Sequence, residues 1–151
     1  AYREMVNMEK ISREEFEEWL FLMLDKLEEF ENQFSKNSLK KLDYSIQSLD
    51  VLEKWILENF MSIDELLEST KKIDLDLFVR YVGETFRRNL KDSKWDTDIE
   101  IPQNAYYNYP VIVPKNKPIP IAPHTLLTAS VKRKKGNFMS TILRNVIMDE
   151  E

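Results

Sequence analysis

The chain has 151 residues, of which 32% are charged, and its formal net charge is −5. This length and composition predict a single soluble domain over residues 1–151 with one core. The chain has no cysteine, which excludes disulfides, thiolate zinc sites and cysteine nucleophiles. Its acidity argues against nucleic acid as a partner. It lacks both a run of about 18 apolar residues, which a membrane span requires, and a signal-peptide pattern. We therefore expect a cytoplasmic protein without membrane contact.

The first two predicted helices are amphipathic. Residues 1–11 precede a capping box that starts at Ser12, and we expect them to be disordered. Apolar residues then recur every three or four positions as far as Phe34, which predicts one helix with a buried face. After a polar connector, the same spacing predicts a second helix from Leu39 to about Asn59, antiparallel to the first.

Two more helices complete the predicted helical part, which covers residues 12–91. A second capping box starts at Ser62 and predicts a short helix. Asp74 is of a residue type that is favoured at the N-cap, so we expect a fourth helix from Leu75 to about Leu90.

The composition changes after the fourth helix, and residues 92–122 are predicted to form the β part. All six prolines lie between Pro102 and Pro123, which excludes helix from most of this stretch. Alternating and β-branched residues predict two strands, Lys94–Ile101 and Tyr106–Val113, in a small antiparallel sheet.

Two helices are predicted in residues 123–148. A proline in the first turn favours a helix from about His124 to Lys134, with Gly136 as its left-handed cap. A final helix is expected over Phe138–Ile147. The predicted fold class is therefore α+β, with a mostly helical body of four N-terminal and two C-terminal helices and a small antiparallel β-sheet.

The first predicted helix is rich in acidic residues, and Arg13 and Lys26 are the only basic residues in its span. A solvated face explains this pattern, and acids near a helix N-terminus are also favoured by the macrodipole. The alternative is a docking surface for a basic protein, because an acidic field speeds encounter and adds specificity. The candidate partner-binding residues on this helix are Glu14, Glu17, Glu18 and Glu28.

The second predicted strand supplies aromatic candidates for the same role. Tyrosine is enriched at protein interfaces, where its ring provides contact area and its hydroxyl a polar contact. We therefore expect an exposed aromatic segment with the partner-binding candidates Tyr106, Tyr107 and Tyr109.

Gly83 is one of only two glycines and lies within the fourth predicted helix. A helical glycine costs about 0.5–1 kcal/mol relative to alanine, so we expect a neighbour, the sheet through Trp95, to pack against the bare backbone. The alternative is a pocket between this helix and the sheet. One glutamate without a histidine or a second positioned carboxylate is weak support for acid–base chemistry. The pocket candidates are Tyr81, Glu84, Arg88, Trp95 and Tyr107.

Other motifs that could carry chemistry have simpler explanations. The basic run at 132–135 falls in the last turn of a predicted helix, where cations are favoured. The acids after Asp92 lack the glycine and the spacing of a calcium loop. His124 is the only histidine, so a histidine-based triad is excluded, and its place at a helix start predicts a surface position. We therefore predict no catalytic residue, no metal site and no cofactor.

Two stretches resemble small bacterial proteins of unassigned function. One is residues 42–53, and the other is the Tyr-x-Gly-Glu core from Tyr81 to Glu84, followed by Trp95. The resemblance covers roughly residues 40–145, and many such proteins look like accessory or immunity-type domains of toxin systems. A glycine pair that often precedes the tryptophan in those proteins is replaced here by Asp92-Ser93-Lys94. The resemblance implies a class of protein and no site residues.

These observations favour a non-enzymatic bacterial domain that binds another protein with a basic surface. The resemblance makes an immunity or accessory role in a toxin system the expected form of that binding. The alternative is a small-molecule binder or an enzyme with its pocket between the Gly83 helix and the sheet.

Overall fold

The computed structural model describes residues 13–37, 42–68, 74–97, 109–115 and 119–150. Within these ranges the chain forms seven helices and a two-stranded antiparallel sheet, which confirms the α+β fold class. The predicted disordered segment and the Ser12 capping box lie outside the described residues. None of the described helices combines the length and the apolarity that a bilayer crossing requires. The elements are α1 (Arg13–Phe21), α2 (Met23–Asn37), α3 (Ile46–Asn59), α4 (Ile63–Leu67), α5 (Leu75–Asn89), β1 (Lys94–Thr97), β2 (Pro110–Val113), α6 (Pro123–Arg133) and α7 (Phe138–Glu150).

The first predicted helix is interrupted at Leu22, between α1 and α2. The Trp19 carbonyl, one turn before the interruption, accepts a hydrogen bond from Arg80 Nη1 at 2.8 Å. A side chain that inserts into the helical ladder in this way accounts for the break. The inward face nevertheless keeps its spacing of three or four positions across the break, through Phe16, Trp19, Met23, Leu27, Phe30 and Phe34.

The prediction that the second helix begins at Leu39 is wrong for the described residues that precede Ile46. Ser45 is the N-cap of α3, and its hydroxyl accepts a hydrogen bond from Ser48 N at 3.2 Å. Tyr44 has a positive φ of 62°, a left-handed conformation that ends any helix approaching from the N-terminal side. Serine residues, whose side chains hydrogen-bond to nearby backbone groups, are favoured at helix N-caps and disfavoured in helix interiors.

α4 and α5 begin where the sequence predicts. Ser62 Oγ accepts a hydrogen bond from Glu65 N at 3.2 Å, and Asp74 Oδ1 accepts one from Asp76 N at 3.1 Å. Every residue of Leu75–Phe86 in α5 is buried, and this helix contacts α2, α3, α6 and both strands. A helix buried on all sides lies at the centre of its fold.

The sheet pairs β1 with β2, and Trp95 lies opposite Ile112. β2 begins at Pro110, since proline is tolerated as the first residue of a strand. The predicted strands were longer, but the residues between β1 and Tyr109 lie outside the described ranges. On the other side of β2, Ile112 exchanges backbone hydrogen bonds of 2.8 Å with Ile121.

α6 runs from Pro123 to Arg133, so each end lies one residue before the predicted bound. The prediction that Gly136 closes it is wrong, because Lys134 at the C-cap takes the left-handed conformation with a φ of 54°. The Lys134 N–H donates to Ser130 O at 3.0 Å and so completes the last turn. Gly136 also has a positive φ, of 87°, but lies further on in the connection to α7.

The N-terminus of α7 is capped by a residue that is distant in sequence. The buried carboxylate of Glu53, on α3, accepts hydrogen bonds from Phe138 N and Met139 N, both at 2.9 Å. Ser140 Oγ donates to Asp50 Oδ1, also on α3, at 2.6 Å. A carboxylate is favoured at a helix N-terminus, so these contacts hold α7 against α3.

Candidate functional site

The contact predicted for Gly83 is confirmed. A Cβ placed on Gly83 would overlap three atoms of the Trp95 ring, so the indole lies directly on the bare backbone of α5. Trp95 Nε1 donates to Glu84 Oε2 at 3.0 Å, and the ring meets Trp19 edge-to-face with centroids 5.0 Å apart. Trp95 therefore joins the sheet to both α5 and α1, and Ile112 of β2 adds a second buried contact with the core.

Glu84 is buried beside Trp95 and has further partners on its own helix. Arg87 Nε donates to Glu84 Oε2 at 3.0 Å, and Arg88 Nε donates to Glu84 Oε1 at 3.3 Å. Burial raises the pKa of Glu84, but the hydrogen bonds from Arg87 and Trp95 outweigh burial and hold the pKa below its ordinary value. Glu84 is therefore ionised at neutral pH and poorly matched to general-base work, which needs a pKa near the operating pH.

Tyr81 and Arg88 are both tied to Tyr44, in the connection before α3. The Tyr81 hydroxyl donates to Ser48 Oγ at 2.7 Å and accepts from Tyr44 N at 3.0 Å. The Arg88 guanidinium lies 3.8 Å from the centre of the Tyr44 ring, a cation–π contact. Burial raises the pKa of Tyr81, so its hydroxyl stays protonated and links α5 to the start of α3.

Four of the five predicted pocket residues lie on α5 and β1, and each is engaged by other side chains of the fold. Arg88 and Trp95 contact Glu84, whereas Tyr81 contacts Tyr44 and Ser48. Tyr81 and Glu84 are buried, and Trp95 occupies the space over α5. Arg88 covers Glu84, and Tyr107 lies outside the described residues. We call the four packed residues Tyr81, Glu84, Arg88 and Trp95 the tryptophan seam.

His124 is buried, so the surface position predicted for it is wrong. Only 9% of its surface is exposed, and its ring stacks on Tyr109 with centroids 4.5 Å apart. Burial lowers the pKa of His124, which favours the neutral imidazole. Tyr109 is partly buried by this contact and is not the free aromatic anchor that the sequence predicts. Tyr106 and Tyr107 lie outside the described residues.

The outward surface of α1 and α2 carries the four predicted partner-binding glutamates, and all are exposed. Two large apolar side chains are exposed on the same helices: Phe21 is 85% exposed and Leu24 is 72% exposed. In the described part of the chain, neither the four glutamates nor the neighbouring Asp25 forms an ion pair. We call this surface the acidic face, and its residues are Glu14, Glu17, Glu18, Phe21, Leu24, Asp25 and Glu28.

Helical spacing places the apolar pair inside a ring of carboxylates. Phe21 has Glu17 four positions before it and Asp25 four positions after it, and Leu24 has Glu28 four positions after it. The register holds across the break at Leu22, because the buried residues on the opposite side keep their spacing. Phe21 and Leu24, themselves three positions apart, are therefore neighbours with acids at each end.

The acidity of the chain is concentrated in this region. α1 and α2 together contain eight acidic and three basic residues, a net charge of −5 that equals the formal net charge of the whole chain. The remainder of the sequence is electrically balanced. The net negative charge of the chain is therefore carried by α1 and α2, and a local concentration of one sign of charge can steer a charged partner.

Phe21 and Leu24 are not candidates in the sequence prediction, although the sequence contains the signal for them. Both lie off the stripe of apolar residues that the spacing assigns to the core. An apolar residue off the buried stripe of an amphipathic helix is expected to face solvent. Single exposed apolar residues are common and need no explanation. An adjacent pair within a ring of acids is a more specific indication of a binding surface.

A buried ion pair holds α1 against α5 behind the acidic face. Arg80 Nε lies 2.7 Å from Asp76 Oδ2, and Trp19 Nε1 donates to Asp76 Oδ1 at 2.8 Å. The Arg80 guanidinium also lies 4.2 Å from the centre of the Trp19 ring. Both charges are partnered, so we assign this cluster to positioning α1.

An open depression of about 190 Å³ on another part of the surface is lined by Lys91, Asp92, Lys115 and Glu150. Lys115 Nζ lies 3.4 Å from Asp92 Oδ2 in a solvent-exposed pair, a kind of contact that contributes about 0–1 kcal/mol. Over the described ranges, no group of three or more histidine, aspartate or glutamate side chains is placed to hold a metal ion.

Comparisons with protein-family models, with curated proteins and with solved structures gave no match. The resemblance to immunity-type bacterial proteins therefore stays a prediction. Function is inferred below from the geometry of the described residues.

Proposed function

We propose that this protein is a non-enzymatic domain that binds another protein through the acidic face. The observation that carries the proposal is the exposed pair Phe21 and Leu24, inside a ring of carboxylates that form no ion pair among the described residues. Apolar anchors surrounded by a polar rim are the usual anatomy of a protein interface. A basic surface on the partner would neutralise the ring and speed the encounter.

The two anchors set the scale of the expected affinity. Burying a phenylalanine or leucine side chain contributes about 1.5–3 kcal/mol, while association costs about 4–15 kcal/mol. Apolar contact at Phe21 and Leu24 must therefore be supplemented by charge complementarity and by contacts around the face. We expect a complex that salt weakens, since exposed charges are screened.

The tryptophan seam supports a packing role over the competing ligand site. A ligand there would have to displace Trp95 from α5 and would meet a glutamate that two arginines and an indole already engage. The N–H groups of the two arginines and the indole now donate to Glu84. A ligand that engaged Glu84 would leave these donors in need of new acceptors, which costs free energy. Neutralisation of a bacterial toxin, which the resemblance implies, is the specific form of protein binding that we propose.

Capture from lysate of the source organism, followed by reconstitution, tests the function. The tagged full chain is compared with a variant that carries Glu17→Lys and Glu18→Lys, and each captured protein is purified and its binding measured directly. The charge-reversed variant should lose the partner, because it replaces attraction by repulsion. A captured toxin should be inactivated by the wild-type chain and not by the variant.

A matched variant separates this effect from a general change of charge. Glu58→Lys with Glu68→Lys reverses two exposed carboxylates, one on α3 and one at the C-cap of α4, and should leave capture unchanged. If the two double variants bind every captured protein as the wild type does, the acidic face is not the binding surface and the proposal is wrong.

A further inference from the structure

We propose that the segment of the partner that occupies the acidic face is a cationic amphipathic helix. This inference rests on the proposed function and adds the chemistry and the shape of the occupant. Its starting point is the spacing of Glu17, Phe21, Leu24 and Glu28, which are separated by four, three and four positions. This is the a/d spacing of a helix seam, and here it lies on the exposed side of the helix.

A second helix fits this stripe geometrically. Side-chain ridges at three and four positions pack into the grooves of another helix at a shallow crossing angle. From Glu14 to Glu28 the stripe is about 21 Å long at 1.5 Å per residue, so an occupant of about four turns would cover it. Its apolar side chains would meet Phe21 and Leu24 in the middle.

An extended peptide fits less well. Strand addition draws its affinity from backbone hydrogen bonds to an open sheet edge. Between their terminal turns, the backbone groups of α1 and α2 serve the helical ladder, and the Trp19 carbonyl accepts a hydrogen bond from Arg80. An extended peptide on the acidic face would therefore make side-chain contacts but no ladder of backbone hydrogen bonds.

The charge of the partner's helix decides whether it can bind to the acidic face. Two copies of this chain that met through the acidic face would bring Glu17, Glu18 and Glu28 against the same residues of the other copy, because a two-fold interface is isologous. Carboxylates that face one another across an interface repel and oppose association. A helix with lysine or arginine on both sides of its apolar stripe instead places cations against the carboxylates at each end of the Phe21 and Leu24 pair.

The test uses two synthetic peptides of about 18 residues that contain the same leucines, lysines and alanines. One peptide places its leucines at heptad spacing, and the other permutes them around the helix. Fluorescence anisotropy measures the binding of each labelled peptide to the full-length protein. The heptad peptide should bind at least about tenfold more tightly than the permuted peptide, and Phe21→Ser should weaken its binding about tenfold, as loss of an interface anchor does.

Met148→Ser is the matched control, because Met148 is also exposed, at 68%, but lies on α7. It should leave the affinity unchanged, and Leu24→Ser should repeat the effect of Phe21→Ser. Equal binding of the two peptides, or binding that ignores both Phe21→Ser and Leu24→Ser, would overturn the helical occupant. So would a dimer of this chain, seen by sedimentation, that Phe21→Ser dissociates.

The outcomes distinguish this inference from the proposed function. If the captured partner depends on Glu17 and Glu18 while the heptad peptide binds no better than its permuted form, the acidic face binds protein and the helical occupant is wrong. If neither the captured partner nor the peptide responds to substitutions in the acidic face, both proposals are wrong.

Discussion

The inner and outer faces of α1 and α2 differ in whether their polar and charged side chains have partners within the protein. On the inner face, Trp19 donates to Asp76 and accepts a hydrogen bond from Arg80 through its carbonyl. On the outer face, Phe21 and Leu24 are exposed, and the surrounding carboxylates form no ion pair with described residues. One pair of helices thus carries a buried network of paired groups on one side and a solvated surface without ion pairs to described residues on the other.

The difference separates groups that stabilise the fold from groups that are available to a partner. A buried network whose members are all paired makes the fold rigid, and it is costly to disturb because the dielectric around it is low. An exposed patch contributes little to folding, since its side chains are solvated in both the folded and the unfolded state. Substitutions on the inner face should therefore change stability, and those on the outer face should change binding alone.

Arg80→Met should have the largest effect on stability. It leaves the Asp76 carboxylate buried without its cation, and breaking a buried ion pair costs about 3–5 kcal/mol. Urea unfolding followed by circular dichroism measures the loss. The double variant with Asp76→Leu and Arg80→Met removes both charges and should be more stable than Arg80→Met. If the double variant is no more stable, the unpaired charge is not the cause.

Gly83→Ala should reduce the free energy of unfolding by about 1–3 kcal/mol, because the added methyl group overlaps the Trp95 ring. In a Trp95→Ala background the methyl group has room, and the same change should stabilise the helix by about 0.5–1 kcal/mol. Chemical unfolding of the four proteins in this cycle measures both effects. A more stable Gly83→Ala single variant would contradict the packing role of the glycine.

Glu84→Gln should reduce stability at neutral pH by about 1–3 kcal/mol, since the charged acceptor of hydrogen bonds from three side chains is lost. The folded-state pKa of Glu84 lies below the ordinary 4.5. The carboxylate's contribution is therefore complete above that value and is lost as the pH falls through the folded-state pKa. Unfolding free energies of wild type and variant, measured between pH 7 and pH 3, should converge in acid. A constant difference would show that the pKa is not lowered.

Phe21→Ser should have the smallest effect on stability, at about 0.5 kcal/mol or less, because the side chain is 85% exposed. The same urea titration measures it beside Met148→Ser. A loss as large as that of a core truncation, about 2 kcal/mol or more, would mean that Phe21 packs against the fold and that the acidic face lacks its central anchor.

Several local features of the fold could be predicted from the sequence. The N-caps at Ser62 and Asp74 form as expected, because each serves N–H groups two or three residues away. The contact between Gly83 and Trp95 was also predictable, since a helical glycine in a glycine-poor chain indicates a close neighbour.

Several of the errors arise where distant residues decide the local structure. His124 is buried because Tyr109 stacks on it, and no pattern around the histidine reports that contact. The break at Leu22 depends on Arg80, whose hydrogen bond to the Trp19 carbonyl joins residues 61 positions apart. The cap on α7 comes from Glu53, which periodicity places on a different helix.

The sequence by itself determined the helical body, the small sheet, the packed glycine and the acidic first helices, because these follow from spacing, caps and charge within a few residues of each position. Only the tertiary structure decided which predicted residues are available to a partner. Burial depends on what the rest of the chain places against a side chain: the seam around Trp95 is closed by its neighbours, whereas Phe21 and Leu24 are left exposed among their carboxylates.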